Sequence, residues 1–170
     1  HFRSSIRGAA VDRKGEPVPW YAYPCIDFLT QRNYRGKTVL EFGCGQSTLW
    51  WANRAARVVA LEGDKRWYEK LKQQVPQNVD LFLVSMETPD ACVKDVWNIL
   101  QSAGNVFELV IIDGLYRYEM IDIACTVVAG DGAIICDNAS GYGFHEGFRD
   151  RSMNRVDFFG NAPGVILPQC

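Results

Sequence analysis

The side chains best suited to chemistry stand just after apolar runs. Val39-Leu40-Glu41-Phe42-Gly43-Cys44-Gly45-Gln46-Ser47-Thr48-Leu49 carries an apolar run into an acid, then two glycines, then the start of a helix. Gly43 and Gly45 permit a sharp turn and a close approach of backbone to a ligand. The first-turn amides of the helix that follows carry partial positive charge and suit a phosphate or a carboxylate. Thr48 occupies the place of the third glycine of a Gly-x-Gly-x-x-Gly dinucleotide fingerprint. A second apolar run, Arg57–Leu61, ends in Glu62-Gly63, and a carboxylate at such a tip can accept hydrogen bonds from both hydroxyls of a ribose. Ser85-Met86-Glu87, Asp113-Gly114 and Asp137-Asn138 close three further apolar runs. Any one polar residue after an apolar run is how strands end; five such tips beside a glycine turn point to a binding edge.

These residues need a scaffold that brings strand tips together. Residues 47–56 read as a helix after the glycine turn. Asp64 is a plausible N-cap for a helix whose Trp67, Leu71 and Val75 share one stripe. Val79–Val84 is a strand, and Pro89-Asp90 opens a helix with Val93, Val96, Trp97 and Leu100 at helical spacing. Phe107–Gly114 is a strand, Tyr116–Val128 a helix ended by Gly130-Asp131-Gly132, and Ala133–Asn138 the fifth strand. Short continuous apolar strands belong to a parallel sheet covered on both faces. Strands alternating with helices give an α/β class, with a doubly wound, mostly parallel sheet flanked by helices. In such a sheet, ligands sit beyond the carboxyl ends of the strands, where strand order reverses.

At Glu41-x-Gly43-x-Gly45, with Glu62 closing the next strand, the sequence resembles the class I S-adenosylmethionine-dependent methyltransferases, a Rossmann-like methyltransferase fold. The resemblance spans roughly residues 36–138. It implies that Gly43, Cys44 and Gly45 lie against the methionine part of S-adenosylmethionine, with Glu41 holding the amino group directly or through water. Ser47 and Thr48 would help bind the carboxylate, Glu62-Gly63 the ribose, and Met86 with Ser85 or Glu87 the adenine. Asp113 would face the methyl end, and S-adenosylhomocysteine would be the product. Ile112-Asp113-Gly114-Leu115 is not the Asn/Asp-Pro-Pro-aromatic tetrad of amino-methylating enzymes, which favours an oxygen acceptor. Asp113, Asp137 and Asn138 also resemble the divalent-metal ligands of catechol-type and caffeoyl-CoA-type O-methyltransferases. Those families carry a lysine shortly after the first Asp, where this chain has Tyr116 and Arg117. A magnesium site there stands beside a metal-free one as an alternative. The family also ends its sheet with an antiparallel hairpin, for which Arg155–Phe159 and Val165–Leu167 are the matching runs.

If the acceptor is a hydroxyl, a base is needed, and the candidates are Asp113, Asp137 and His145, the last on a glycine-rich loop. Arg149, Arg151 and Arg155 are either a solvated basic face or a greeting for an anionic acceptor. The expected activity is methylation of a small molecule, probed against two others: a nicotinamide oxidoreductase, and a cofactor-binding regulator without transfer. The missing third glycine and the position of Glu41 count against the oxidoreductase.

Composition sets bounds. Hydrophobic residues are 48% of 170, which fits one domain with a sizeable core. Residues 1–35 read as a polar arm, with Arg3 and Arg7, followed by an aromatic stretch, Pro19-Trp20-Tyr21-Ala22-Tyr23-Pro24, that is either a cap on the sheet or a lid over the site; residues 36–170 form the S-adenosylmethionine-binding domain. A formal net charge of −2 excludes a basic nucleic-acid footprint. No apolar run is long enough for a bilayer and no secretory leader is visible. Six cysteines without a Cys-x-x-Cys pair point away from zinc and toward a reducing, cytoplasmic setting. The expected partner is a small-molecule acceptor, not nucleic acid or membrane, with oligomeric state left open.

Overall fold

The computed structural model describes residues 9–165 and 168–170. Its elements in chain order are α1 (Tyr23–Thr30), β1 (Thr38–Phe42), α2 (Gln46–Ala52), β2 (Arg57–Glu62), α3 (Lys65–Lys72), β3 (Val79–Leu83), α4 (Pro89–Ala103), β4 (Phe107–Ile112), α5 (Met120–Val127), β5 (Val128–Cys136) and α6 (Phe144–Gly147). The strands form one parallel sheet in the order β3-β2-β1-β4-β5. The doubly wound α/β expectation therefore holds, and strand order reverses between β1 and β4.

Alternation along each strand splits the core in two. Leu40, Phe42, Val59, Leu61, Val110 and Ile112 pack on α4 and α5, together with Val96, Leu100 and Ile121. Val39, Val58, Ala60, Leu109 and Ile111 face the other way, onto Tyr21, Ile26, Leu29, Trp50 and Trp51. Trp51 meets Trp50 and Tyr34 edge-on, with ring centroids 4.6 and 4.9 Å apart. Each buried aromatic contributes several kcal/mol of burial (about 25 cal/mol per Å²), so this layer anchors the N-terminal segment to the sheet. Helix starts follow local chemistry. Asp64 accepts from the Trp67 amide at 2.8 Å and Thr88 from the Ala91 amide at 3.1 Å, with Pro89 in the first turn of α4. No helix among the described residues is long and apolar enough to cross a membrane.

Several expectations require correction. Gly130-Asp131-Gly132 does not separate a helix from β5 but lies inside β5, which starts directly after α5. Phe107 of β4 already pairs with Val128, and Leu109 pairs with Ala133, so two steps on β4 match five on β5 and the glycines bulge outward. Residues 116–119 are turn rather than helix. Arg155–Phe159 is not a strand either: the segment turns back over α1, where Phe158 packs 5.0 Å from Phe28, and Gly160 bridges to Gln169 in isolation. Val165 is not in a strand; Ile166 and Leu167, like Arg3 and Arg7, lie outside the described residues.

At the reversal point, the turn after β1 touches the turn after β4. Gly43 has φ +91°, and a Cβ there would fall 2.5 Å from the Cα and N of Gly114. Gly45 differs: its backbone is extended, and a Cβ would meet only the Trp67 ring at 3.9 Å. Gly43→Ala is therefore expected to lose roughly 2 kcal/mol or more, from left-handed strain plus overpacking. Gly45→Ala should fold nearly as well as wild type. Urea unfolding of both variants checks this; equal midpoints would mean that the two turns are not in contact.

Candidate functional site

A crevice of about 580 Å³ opens at the carboxyl ends of the strands. Its lining includes Gly43, Cys44, Gly45, Ser47, Glu62, Asp113 and Asp137, so residues far apart in sequence share one space. That volume is ordinary for a small-molecule site. The glycine turn is braced from both sides. Glu62 Oε2 accepts from the Cys44 amide at 3.0 Å, and the Trp67 indole N–H donates to the Cys44 carbonyl at 2.6 Å. Glu62 Oε1 accepts from the amides of Gly63 and Asp64, both at 2.8 Å. The carboxylate is thus rigidly held; the two amides fill the acceptor capacity of Oε1, and Oε2, with a single amide donor, keeps a lone pair for a ligand hydroxyl.

Glu41 lies beneath the turn and is fully buried. Its Oε2 accepts from the Thr48 hydroxyl at 2.5 Å, and Thr48 Oγ1 in turn accepts from the Gly45 amide at 3.0 Å. Its Oε1 has no partner. Burial pushes the Glu41 carboxyl up to about 7, hydrogen bonds from Ser47 and Thr48 pull it back, and the nearby Glu62 charge adds to the rise. A buried acid with one free oxygen, one layer under a ligand-sized crevice, has the chemistry to attract a cationic group through Ser47 or a water. Thr48 itself is committed to Glu41 and Gly45, leaving Ser47 as the hydroxyl of this pair that lines the crevice.

Asp113 and Asp137 end adjacent strands in register, since Ile112 pairs with Cys136 and the Asp137 amide donates to the Ile112 carbonyl at 3.0 Å. Their carboxyls are hydrogen-bonded, and burial raises both, Asp113 well above the usual range. Arg117 stands against both, 3.3 Å from Asp113 and 3.8 Å from Asp137, and restrains the rise. The set does not fit a divalent cation: the Arg117 guanidinium already stands against both carboxyls, and like charges exclude each other there. Among the described residues no three His, Cys, Asp or Glu side chains group as a metal site.

Other expected site residues fall elsewhere. Ser85 bonds through its amide to Asp95, while Met86 lies across Gly63 and exposes 40% of its surface. His145 sits on the exposed α6 against Arg155, outside the crevice lining. Arg149, Arg151 and Arg155 pair with Glu146, Asp122 and Asp157 respectively. The aromatic stretch divides its roles: Tyr21 is buried against Trp51, whereas Trp20 lines the crevice. Trp67, Gly114 and Arg117 were not singled out as site residues by spacing. Only the unusual Arg117 after Asp113 offered a signal, because the partners of the other two are remote in sequence. Cys44 is half-buried and its thiol is pushed well up, first by desolvation and then by Glu41 and Glu62, which disfavours the thiolate that a nucleophile needs.

Two solved structures share this fold. Precorrin 8W decarboxylase from Methanobacterium thermoautotrophicum matches with a TM-score of 0.59 at 18% identity, over 85% of this chain and 79% of that one. A structure described as a putative methyltransferase from Pseudomonas syringae matches with a TM-score of 0.57 at 18% identity, over 81% of this chain and 88% of that one. No protein-family model and no curated protein matches the chain. The architecture is the Rossmann-like fold of the class I methyltransferase-like proteins.

Glu41→Gln keeps the shape of the side chain and removes its titration. Because the native carboxyl holds its proton more tightly than the ordinary value of 4.5, its contribution to stability is full below 4.5 and is lost as pH rises through about 7. The variant should match wild type near the acid end and exceed it at pH 8 by on the order of 3 kcal/mol. Thermal melts across this range should show a widening gap; a constant gap would mean that Glu41 is not desolvated.

Proposed function

We propose that this chain is an S-adenosylmethionine-dependent methyltransferase that acts on an oxygen of a small molecule. The observation that carries the reading is the shared crevice of the Gly43–Gly45 turn and Glu62, with the free oxygen of Glu41 beneath it. Glu62 takes a ribose hydroxyl at Oε2, and its backbone bonds keep it from rotating away. Glu41, through Ser47 or a water, attracts the ammonium of the methionine part. Gly45 leaves room for the ligand, since only Trp67 approaches the position of its missing side chain. Met86, which lies across Gly63 next to Glu62, would cover the adenine, with Ser85 beside it. When bound, S-adenosylmethionine supplies a methyl on a sulfonium, a leaving group that needs no further activation. The protein's part is to hold acceptor and methyl in line and to receive a proton. Asp113 and Asp137 lie in the crevice and are the proton acceptors; His145 does not reach it.

A second cavity of about 370 Å³ lies beside α1 and β5 and shares Asp137 with the crevice, which gives an acceptor room next to the carboxyl pair. The all-free cysteines support a reducing, cytoplasmic setting, and the acidic crevice supports a small-molecule acceptor over nucleic acid.

The test is calorimetry with S-adenosylhomocysteine and with NAD, followed by tritiated methyl transfer to a panel of hydroxylated small molecules. Binding of the first ligand alone is expected, and Glu62→Ala should weaken it by roughly ten- to a hundredfold, the worth of hydrogen bonds to a charged group. Preference for NAD would favour an oxidoreductase, and tight binding without transfer to any acceptor a regulatory role.

A further inference from the structure

Arg117 is clasped between the tips of β4 and β5. Its Nη1 donates to the Asp137 carbonyl at 2.6 Å and its Nη2 to Asp113 Oδ1 at 3.3 Å. The guanidinium carbon lies 4.5 Å from the Tyr142 ring centroid, and the side chain is only 12% exposed. A cation held by two acids, a carbonyl and an aromatic face cannot swing into solvent without leaving buried charge unpaired. Backbone strain gathers at the same place. Leu115, Asn138 and Tyr142 are the non-glycine residues with positive φ among those described. Leu115 follows Asp113 by two residues, Asn138 follows Asp137 directly, and Tyr142 carries the ring against Arg117. Such strain persists only where surrounding contacts over-determine the backbone, and it clusters at functional sites. The crevice lining carries three carboxyls, Glu62, Asp113 and Asp137, against the one cation Arg117. An anionic acceptor is repelled by that balance; an uncharged hydroxyl is not.

We propose that Arg117 is the built-in cation of the acceptor end of the crevice, where a divalent metal would otherwise sit, and that it positions Asp113 and Asp137 as a metal-independent proton acceptor for an uncharged hydroxyl substrate. This rests on the methyl-transfer reading above. In the transfer, the acceptor oxygen bonds to the methyl carbon as the carbon–sulfur bond breaks. The electron pair of that bond stays on sulfur, which becomes a neutral thioether, and the hydroxyl proton passes to the carboxyl pair. Arg117 touches no reacting atom; it is a positioning residue that holds the two carboxyls together and limits their affinity for protons.

The experiment uses manganese(II) as a spin probe for a cation site, and carbon-13 carboxyl signals to follow the titration of Asp113 and Asp137. It compares wild type, Arg117→Met and Arg117→Lys. Wild type and Arg117→Lys should leave the manganese free. Arg117→Met should bind it on the order of a hundredfold more tightly, because a like charge at contact range has gone. The carboxyl pair should titrate at higher pH in Arg117→Met and return toward wild type in Arg117→Lys, a shift that a purely structural role would not produce. Manganese bound to wild type and lost in Asp137→Asn would overturn the proposal, as would the absence of either change in folded Arg117→Met. If Arg117→Met does not fold by circular dichroism, Arg117→Gln carries the same two readouts. Calorimetry with S-adenosylhomocysteine runs in parallel. Its failure in wild type would sink the methyl-transfer reading, while the manganese and carboxyl readouts, which need no cofactor, would still decide the role of Arg117.

Discussion

Backbone meets backbone where Gly43 and Gly114 face each other at the ends of β1 and β4, and the site is built outward from that contact. The chain leaves β1 to wind one way across the sheet and leaves β4 to wind the other, so the two turns diverge and a crevice opens between them. The backbone ladder runs up to this point, with the Gly43 amide donating to Leu61 and the Asp113 amide to Phe42. Neither turn can carry a side chain there, because each glycine's missing Cβ position is filled by the other's main chain. Once the floor is fixed, Glu62 and Trp67 lock the Cys44 peptide from opposite sides, and the loop is rigid before any ligand arrives.

That floor carries an electrostatic load. Glu41, Glu62, Asp113 and Asp137 crowd the tips of four adjacent strands, and the fold neutralises each differently. Glu41 is driven toward its protonated form by burial, Glu62 is bathed in backbone amides, and Asp113 and Asp137 are raised by burial while Arg117 pulls both back. A domain built only for stability would place apolar groups there, since buried charge is costly even when paired. Retaining so much acid at one edge supports the proposed binding of a cationic ligand. The energy that tolerates it comes from elsewhere, chiefly the Trp50–Trp51–Tyr21–Tyr34 layer and the α4–α5 face.

Much of this was legible before any coordinates. Continuous apolar runs such as Val110-Ile111-Ile112 read as buried strands, and Asp64 and Pro89-Asp90 mark helix starts through local chemistry, the Asp64 cap being made within three residues. Where expectation and structure part, the deciding contact is remote. Gly130-Asp131-Gly132 looks like a turn because glycines usually are, yet Phe107 captures Val128 and turns the trio into a bulge within β5. Arg155–Phe159 has the composition of a strand, but Phe158 finds more apolar surface on Phe28 of α1 than along the edge of β5.

Residue order alone therefore establishes which side chains end up at strand tips, because period-two alternation and local capping are properties of neighbours along the chain. It places Glu41, Glu62, Asp113 and Asp137 at the same end of a parallel sheet. It is silent on which tips are adjacent, because strand order depends on how the two apolar faces are covered. The meeting of Asp113 with Asp137, the guanidinium of Arg117 against both and the contact of Gly43 with Gly114 all follow from β4 lying between β1 and β5. Those pairings belong to packing in three dimensions, which no stretch of neighbouring residues encodes.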